Sequence, residues 1–170
     1  MVIKVENLIK LAQADKFELS NSELKLLQSL ADGEDADYQT GDSTQDDPAN
    51  YATWGENRIV RASLLVWLCT DQEICWRLPY IGLSITGARI EGSFDLSFIK
   101  LEVPLILRFC AFTETIRLEQ TRVKAIDLSG SYITSSKILR DFGPVMSSLE
   151  APNLCTGQKH NSHLKVFLLL

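Results

Sequence analysis

Between Ile85 and Ile133 a large apolar residue returns every five or six positions, and each is preceded two places earlier by a small or apolar residue. Written as pairs, the register is Leu83/Ile85, Ala88/Ile90, Phe94/Leu96, Ile99/Leu101, Leu105/Leu107, Cys110/Phe112, Ile116/Leu118, Thr121/Val123, Ile126/Leu128 and Ser131/Ile133. An α-helix repeats at 3.6 residues and an ordinary strand at 2, so neither sustains a period of five. A coiled solenoid does: each short unit forms one side of a polygonal coil and turns its apolar pair inward. The competing reading is a run of short alternating strands in a β-sandwich. Polar residues favour the coil, because Thr86-Gly87, Glu91-Gly92, Lys124 and Ser129-Gly130 fall between the pairs, where corners must meet water. Gly82, Gly87 and Gly92 are themselves five apart, and glycine suits repeated tight corners. The feature constrains architecture far more than activity.

Charge is divided unevenly along the chain. Residues 1–56 hold 12 acidic and 4 basic side chains, and the rest hold 10 acidic and 13 basic, within a net of −5. The repeat region, 81–133, has six of each sign. A nucleic-acid binder needs a basic stripe and a DNA mimic an acidic one, and the repeat shows neither in bulk. No nucleic-acid partner is expected. The N-terminus, Met1-Val-Ile-Lys-Val-Glu6, lacks a signal-peptide pattern, and no run of about 18 apolar residues could span a bilayer. A cytoplasmic chain with Cys69, Cys75, Cys110 and Cys155 reduced is the expectation.

The repeat is flanked by different material. Residues 3–14 read as an amphipathic helix. Ser20-Asn-Ser-Glu23 is a capping box, with Leu19 and Leu24 as its hydrophobic staple and Gly33 placed to end the helix. Residues 1–32 are therefore predicted as a helical hairpin. Residues 33–53 contain Glu34, Asp35, Asp37, Asp42, Asp46 and Asp47 but no Lys or Arg, and read as an exposed acidic linker. A buried helix is predicted from Asn57 to about Cys69, within a 54–80 region that caps the coil end, with Trp54, Trp67 and Trp76 around it. Residues 134–170 lose the register and read as an irregular tail, with a possible terminal strand in Leu164–Leu170.

No catalytic constellation emerges. The glycines lack the spacing of a dinucleotide fingerprint, and no Gly-Lys-Ser/Thr loop is present. Asp35, Asp37, Gln39, Ser43 and Asp46 fall at positions 1, 3, 5, 9 and 12 of a notional calcium loop. The required glycine is displaced by one, to Gly41, and no glutamate closes the loop, so a solvated acidic loop is preferred. His160, His163 and Cys155 make a weak metal triad and read as surface tail. Cys110 takes an inward position and reads as core. Asp95 and Asp127 precede inward leucines and read as outward wall charges rather than acid–base groups. No catalytic, cofactor-binding or metal residue is assigned, and no cofactor is expected.

Two stretches carry a resemblance. Asp46-Asp-Pro-Ala49, Trp54-Gly-Glu-Asn-Arg58, Val60-Arg-Ala62 and Leu64-Leu-Val-Trp-Leu68 resemble the head of a group of bacterial pentapeptide-like repeat proteins. Gly87-Ala-Arg-Ile90, Val103-Pro-Leu105, Phe109-Cys-Ala-Phe112 and Asp127-Leu-Ser-Gly-Ser131 resemble its coils. The resemblance covers about 46–133 and implies a mainly β fold, a short right-handed quadrilateral β-helix under an N-terminal α-helical cap. Members usually continue for more coils, so the chain looks like a short or truncated member. The family often carries the label of membrane-associated oxidoreductase, and some pentapeptide proteins protect topoisomerases by DNA mimicry. The residues themselves point to a non-enzymatic scaffold or protein-interaction module with an unknown protein partner. An unfinished final coil near Leu128 and Ile133 adds the expectation of a homodimer through the coil end.

Overall fold

The computed structural model describes residues 4–75 and 77–133, and the backbone of 138–139 and 165–166. Two helices open the chain, α1 (Val5–Ala14) and α2 (Asn21–Asp32). The start of α2 follows from its sequence: Ser20 Oγ accepts from the Glu23 amide at 3.3 Å, and Glu23 Oε2 accepts from the Ser20 amide at 3.0 Å. This reciprocal pair satisfies two donors that a helix N-terminus leaves free. Gly33 ends the helix in the left-handed region. The helices pack through Leu8, Ala12, Leu26, Leu27 and Leu30, all buried.

The next segment departs in part from expectation. Residues 33–53 are mostly exposed, as the linker reading expects, but parts of the segment are built into the fold. Ala36–Asp37 (β1) pairs in parallel with Leu83–Thr86 (β3), and the Asp46 side chain is buried. Three-residue-per-turn helices follow at Pro48–Thr53 and Glu56–Arg58. The helix predicted from Asn57 also begins later. Ile59–Arg61 (β2) pairs in parallel with Arg89–Glu91 (β4), and only at Ala62 does α3 (Ala62–Thr70) begin. A short apolar run gives no periodicity to separate strand from helix, and the β-branched Ile59 and Val60 take the sheet edge. The short α4 (Gln72–Cys75) follows. Of the three tryptophans, Trp67 stacks on Phe17 and Trp54 packs elsewhere; Trp76 lies outside the described residues.

Beyond Gly82 the chain alternates very short strands with turns. These are β3, β4, β5 (Phe94–Asp95), β6 (Lys100–Leu101), β7 (Leu105–Arg108), β8 (Ala111–Phe112), β9 (Ile116–Arg117), β10 (Arg122–Val123) and β11 (Ile126–Asp127). They fall into four small sheets, ordered β1-β3-β7-β11-β13, β2-β4-β8, β12-β9-β5 and β10-β6, where β12 is Ile138–Leu139 and β13 is Lys165–Val166. Pairing is parallel except between β11 and β13. Leu83 stands opposite Leu105 and Leu105 opposite Ile126, so partners lie 22 or 21 residues apart. Like residues therefore stack: Ile85 on Leu107, Ile90 on Phe112, Phe94 on Ile116 and Leu101 on Val123.

The mainly β quadrilateral β-helix expected for the chain is thus corrected. The fold is mixed α/β, with 34% helix among the described residues and short parallel strands spread over several small sheets. The physical reason is that turns recurring every five or six residues hold each strand to two to four residues, while residues 4–75 place most of their length in helices. What the repeat does specify is burial. Every member of the ten pairs is buried except Ile99, Ser131 and Ile133, which are partly so. All but Thr121 and Ser131 pack in one core with Leu64, Leu65 and Leu68 of α3 and Leu27 of α2. The notional tail, 134–170, lies outside the described residues apart from β12 and β13. Among the described residues no helix is long and apolar enough to cross a membrane.

Two glycines separate backbone strain from packing. Gly82 has φ +78° and a Cβ there would lie 2.0 Å from the Pro104 carbonyl oxygen; Gly41 has φ +88° and open space around it. Both substitutions to alanine incur the left-handed penalty of about 1–2 kcal/mol. Gly82→Ala should cost at least about 2 kcal/mol more, since the neighbouring backbone must move. Urea unfolding of both variants measures the difference; equal midpoints would refute it.

Candidate functional site

The polar centre of the structure is Arg58, placed by the turn Glu56–Arg58 at the entry to β2. Its side chain is only 4% exposed. Nε donates to the Gly87 carbonyl at 2.9 Å and Nη1 to Asp46 Oδ1 at 2.8 Å. The guanidinium lies 3.6 Å from the centre of the Trp54 ring. Trp54 Nε1 in turn donates to the Gln45 carbonyl at 2.7 Å. Asp46 accepts from the amides of Thr40, at 2.9 Å to Oδ1 and 3.0 Å to Oδ2, and of Gly41, at 2.8 Å. Burial raises the Asp46 pKa, but the two amides and the guanidinium outweigh it and hold the carboxyl below its ordinary value. One donor, Arg58 Nη2, is buried without a partner among the described residues. Beside this stack lies an open cleft of about 210 Å³ lined by Thr40, Gln45, Thr53, Trp54, Gly55, Asn57 and Arg58.

Asp46, Trp54 and Arg58 all belong to the head motif that carried the family resemblance. The structure brings them into one contact, which explains why these residue types stand there: a planar cation needs a planar carboxylate and a ring face to be buried. Sequence reasoning took Asp46 for a solvated loop charge. The available signal was Arg58 and Arg61 in a mostly apolar stretch, where a buried arginine needs an anion.

A second carboxylate does two jobs. Glu23, the capping-box residue, also accepts from Arg61 Nε at 2.7 Å and Arg61 Nη2 at 2.6 Å. Burial raises the Glu23 pKa, and Arg61 together with the Ser20 amide lowers it further than burial raises it. The pair fastens α2 to β2.

The other residues singled out from sequence have structural partners. The notional calcium ligands have separate partners: Asp35 accepts from Ser84, Asp37 from the Gln39 amide, and Asp46 from the Thr40 and Gly41 amides and Arg58. Asp95 accepts from the Ser97 amide and faces Arg117, and Asp127 accepts from the Ser129 amide and faces Arg108. Burial pushes the Cys69 and Cys110 thiols up to about 12, and raises Cys75 less far. Cys155, His160 and His163 lie outside the described residues. Among the described residues no three metal-ligand side chains cluster. No family model, curated protein or solved structure matches the chain.

Two outcomes are expected. Asp46→Ala should lower the unfolding free energy by about 3–5 kcal/mol, because it leaves Arg58 buried and unpaired. Reversing the half-exposed Arg117 with Arg117→Asp should cost under about 1 kcal/mol. Since the folded Asp46 carboxyl titrates below its unfolded value of 3.8, its contribution is present above that pH and lost as pH falls through the lower folded value. Chemical unfolding between neutral and acid pH should therefore show wild type converging on Asp46→Ala only at the acid end. Separately, a thiol reagent at mildly alkaline pH should modify Cys75 well before Cys69 or Cys110, read by peptide mass; equal rates would mean the core opens readily.

Proposed function

We propose that the chain is a non-enzymatic protein-interaction module. The observation that carries this reading is a pair of exposed aromatics on fixed turns. Tyr80 is 95% exposed and Phe98 is 70% exposed. Neither turn is loose: Gly82 donates to the Pro79 carbonyl at 2.8 Å, and the Phe98 amide donates to the Glu119 carbonyl at 2.7 Å. Phe98 is held at φ +63°, a conformation that a bulky residue adopts only at a cost. Large aromatics on pre-organised backbone are typical anchors of protein interfaces. Apart from Arg58 Nη2, the buried polar groups around Arg58 and Glu23 are occupied in bracing the fold, and burial holds the Cys69 and Cys110 thiols protonated.

The test is capture from the native cell with the wild-type chain and with Tyr80→Ser/Phe98→Asn; asparagine tolerates the positive φ. A partner retained by wild type and reduced at least about tenfold by the double variant, with unchanged melting temperature, is the expected result. Undiminished capture, or an organic cofactor released from the purified protein on denaturation, would overturn it. The cofactor would turn attention to the oxidoreductase label instead.

A further inference from the structure

The interaction reading leaves open what docks beside the two aromatics. The β6–β10 sheet adjoins both turns. Phe98 stands two residues before β6, and the Pro79–Gly82 turn that carries Tyr80 packs on Pro104, just after it. Leu101 and Val123 face the core, whereas Lys100, Arg122 and Lys124 are exposed. Lys100 and Arg122 are direct cross-strand partners. Like charges opposite one another destabilise a sheet, and the Lys100–Glu102 pair offsets this only on the Lys100 side. The nearby carboxylate is Glu102, which pairs with Lys100 at 2.6 Å. Arg122 and Lys124 form no close ion pair among the described residues, although Lys124, after Lys100, helps hold the Glu102 carboxyl below its ordinary value.

The chain also holds the complementary surface. Glu34, Asp35, Asp37, Asp42 and Asp47 are exposed, and none forms an ion pair among the described residues. Lys25 donates to the Asp37 carbonyl and lies over the Tyr38 ring. From this charge complementarity we infer that the β6–β10 face docks the 34–47 segment of a second copy of the chain. This rests on the interaction reading and names its occupant. The contact is heterologous, basic face to acidic segment, and differs from a dimer through the strand-stack end. The net charge of −5 opposes approach at long range, so the attraction is local and is weakened as salt shortens the screening length.

Sedimentation velocity at about 100 μM protein tests it, with salt varied from about 0.01 M to about 1 M. Wild type is expected to self-associate at low salt and to weaken at least about tenfold at high salt. Lys100→Glu/Arg122→Glu and Glu34→Lys/Asp37→Lys should each remain monomeric alone, yet form a mixed dimer when combined. If the second variant misfolds by circular dichroism, Glu34→Gln/Asp37→Asn keeps the shape and should weaken association. A monomeric wild type at low salt overturns the inference, as does association undiminished by Lys100→Glu/Arg122→Glu, which would place the contact elsewhere. A monomer that still captures a Tyr80- and Phe98-dependent partner would reject self-docking and leave the interaction reading standing.

Discussion

The buried contact between Asp46 and Arg58 is the constraint on which the arrangement of this chain depends. Three separate stretches meet there: the Thr40–Asp46 loop through its amides and carboxylate, the Trp54 turn through its ring, and the Gly87 corner through its carbonyl. An isolated guanidinium in this position would be strongly disfavoured, since burying an unpaired charge costs several kcal/mol even after relaxation. Each of the three stretches is therefore committed once Arg58 is inside. The same argument explains why an acidic, glycine- and proline-containing segment is ordered at all. It has little apolar surface to bury, but it supplies the one anion that Arg58 requires.

Glu23 extends the principle to the helical end. A capping-box glutamate ordinarily serves its own helix. Here its two carboxylate oxygens also take the Arg61 fork, so the start of α2 and the end of β2 are fixed by one side chain. The Tyr38 hydroxyl, buried and held well above its ordinary pKa first by that burial, donates to the Ser22 carbonyl at 2.6 Å in the same region. Polar residues thus join the helical and parallel-strand parts, while leucines and isoleucines fill the space between them.

How much of this was legible depended on range in sequence. The capping box, Gly33 and the inward pairs from Leu83 to Leu128 were readable, because each is a local pattern with a direct physical cause. The class of fold was not. A period of five reports where apolar side chains point, but it says nothing of how many residues each strand retains between turns, or of how much helix precedes them. Strand β1 and strand β2 were missed for a related reason: two or three residues carry no period, and their pairing is set by partners 49 and 30 positions away, as in Ala36 with Ile85 and Val60 with Ile90. The Asp46–Arg58 contact was hidden in the same way, since the sequence shows an acidic cluster and an arginine twelve residues on without showing that they meet.

The outward charges obey a different rule from the inward leucines. Asp127 with Arg108 and Asp95 with Arg117 are partly exposed pairs at 3.4 and 4.0 Å, and pairs of that kind contribute at most about 1 kcal/mol each. Their value lies in neutralising the faces they occupy, so that those faces present little net field. The β6–β10 face breaks that pattern, because Lys100 and Arg122 share one ladder position and reinforce one another. Stability alone would favour a carboxylate at either site. Lys100 pairs with Glu102 on that face, but Arg122 has no ion pair among the described residues, so the face keeps a net positive potential, and potentials of that kind govern orientation and partner choice more than they govern folding.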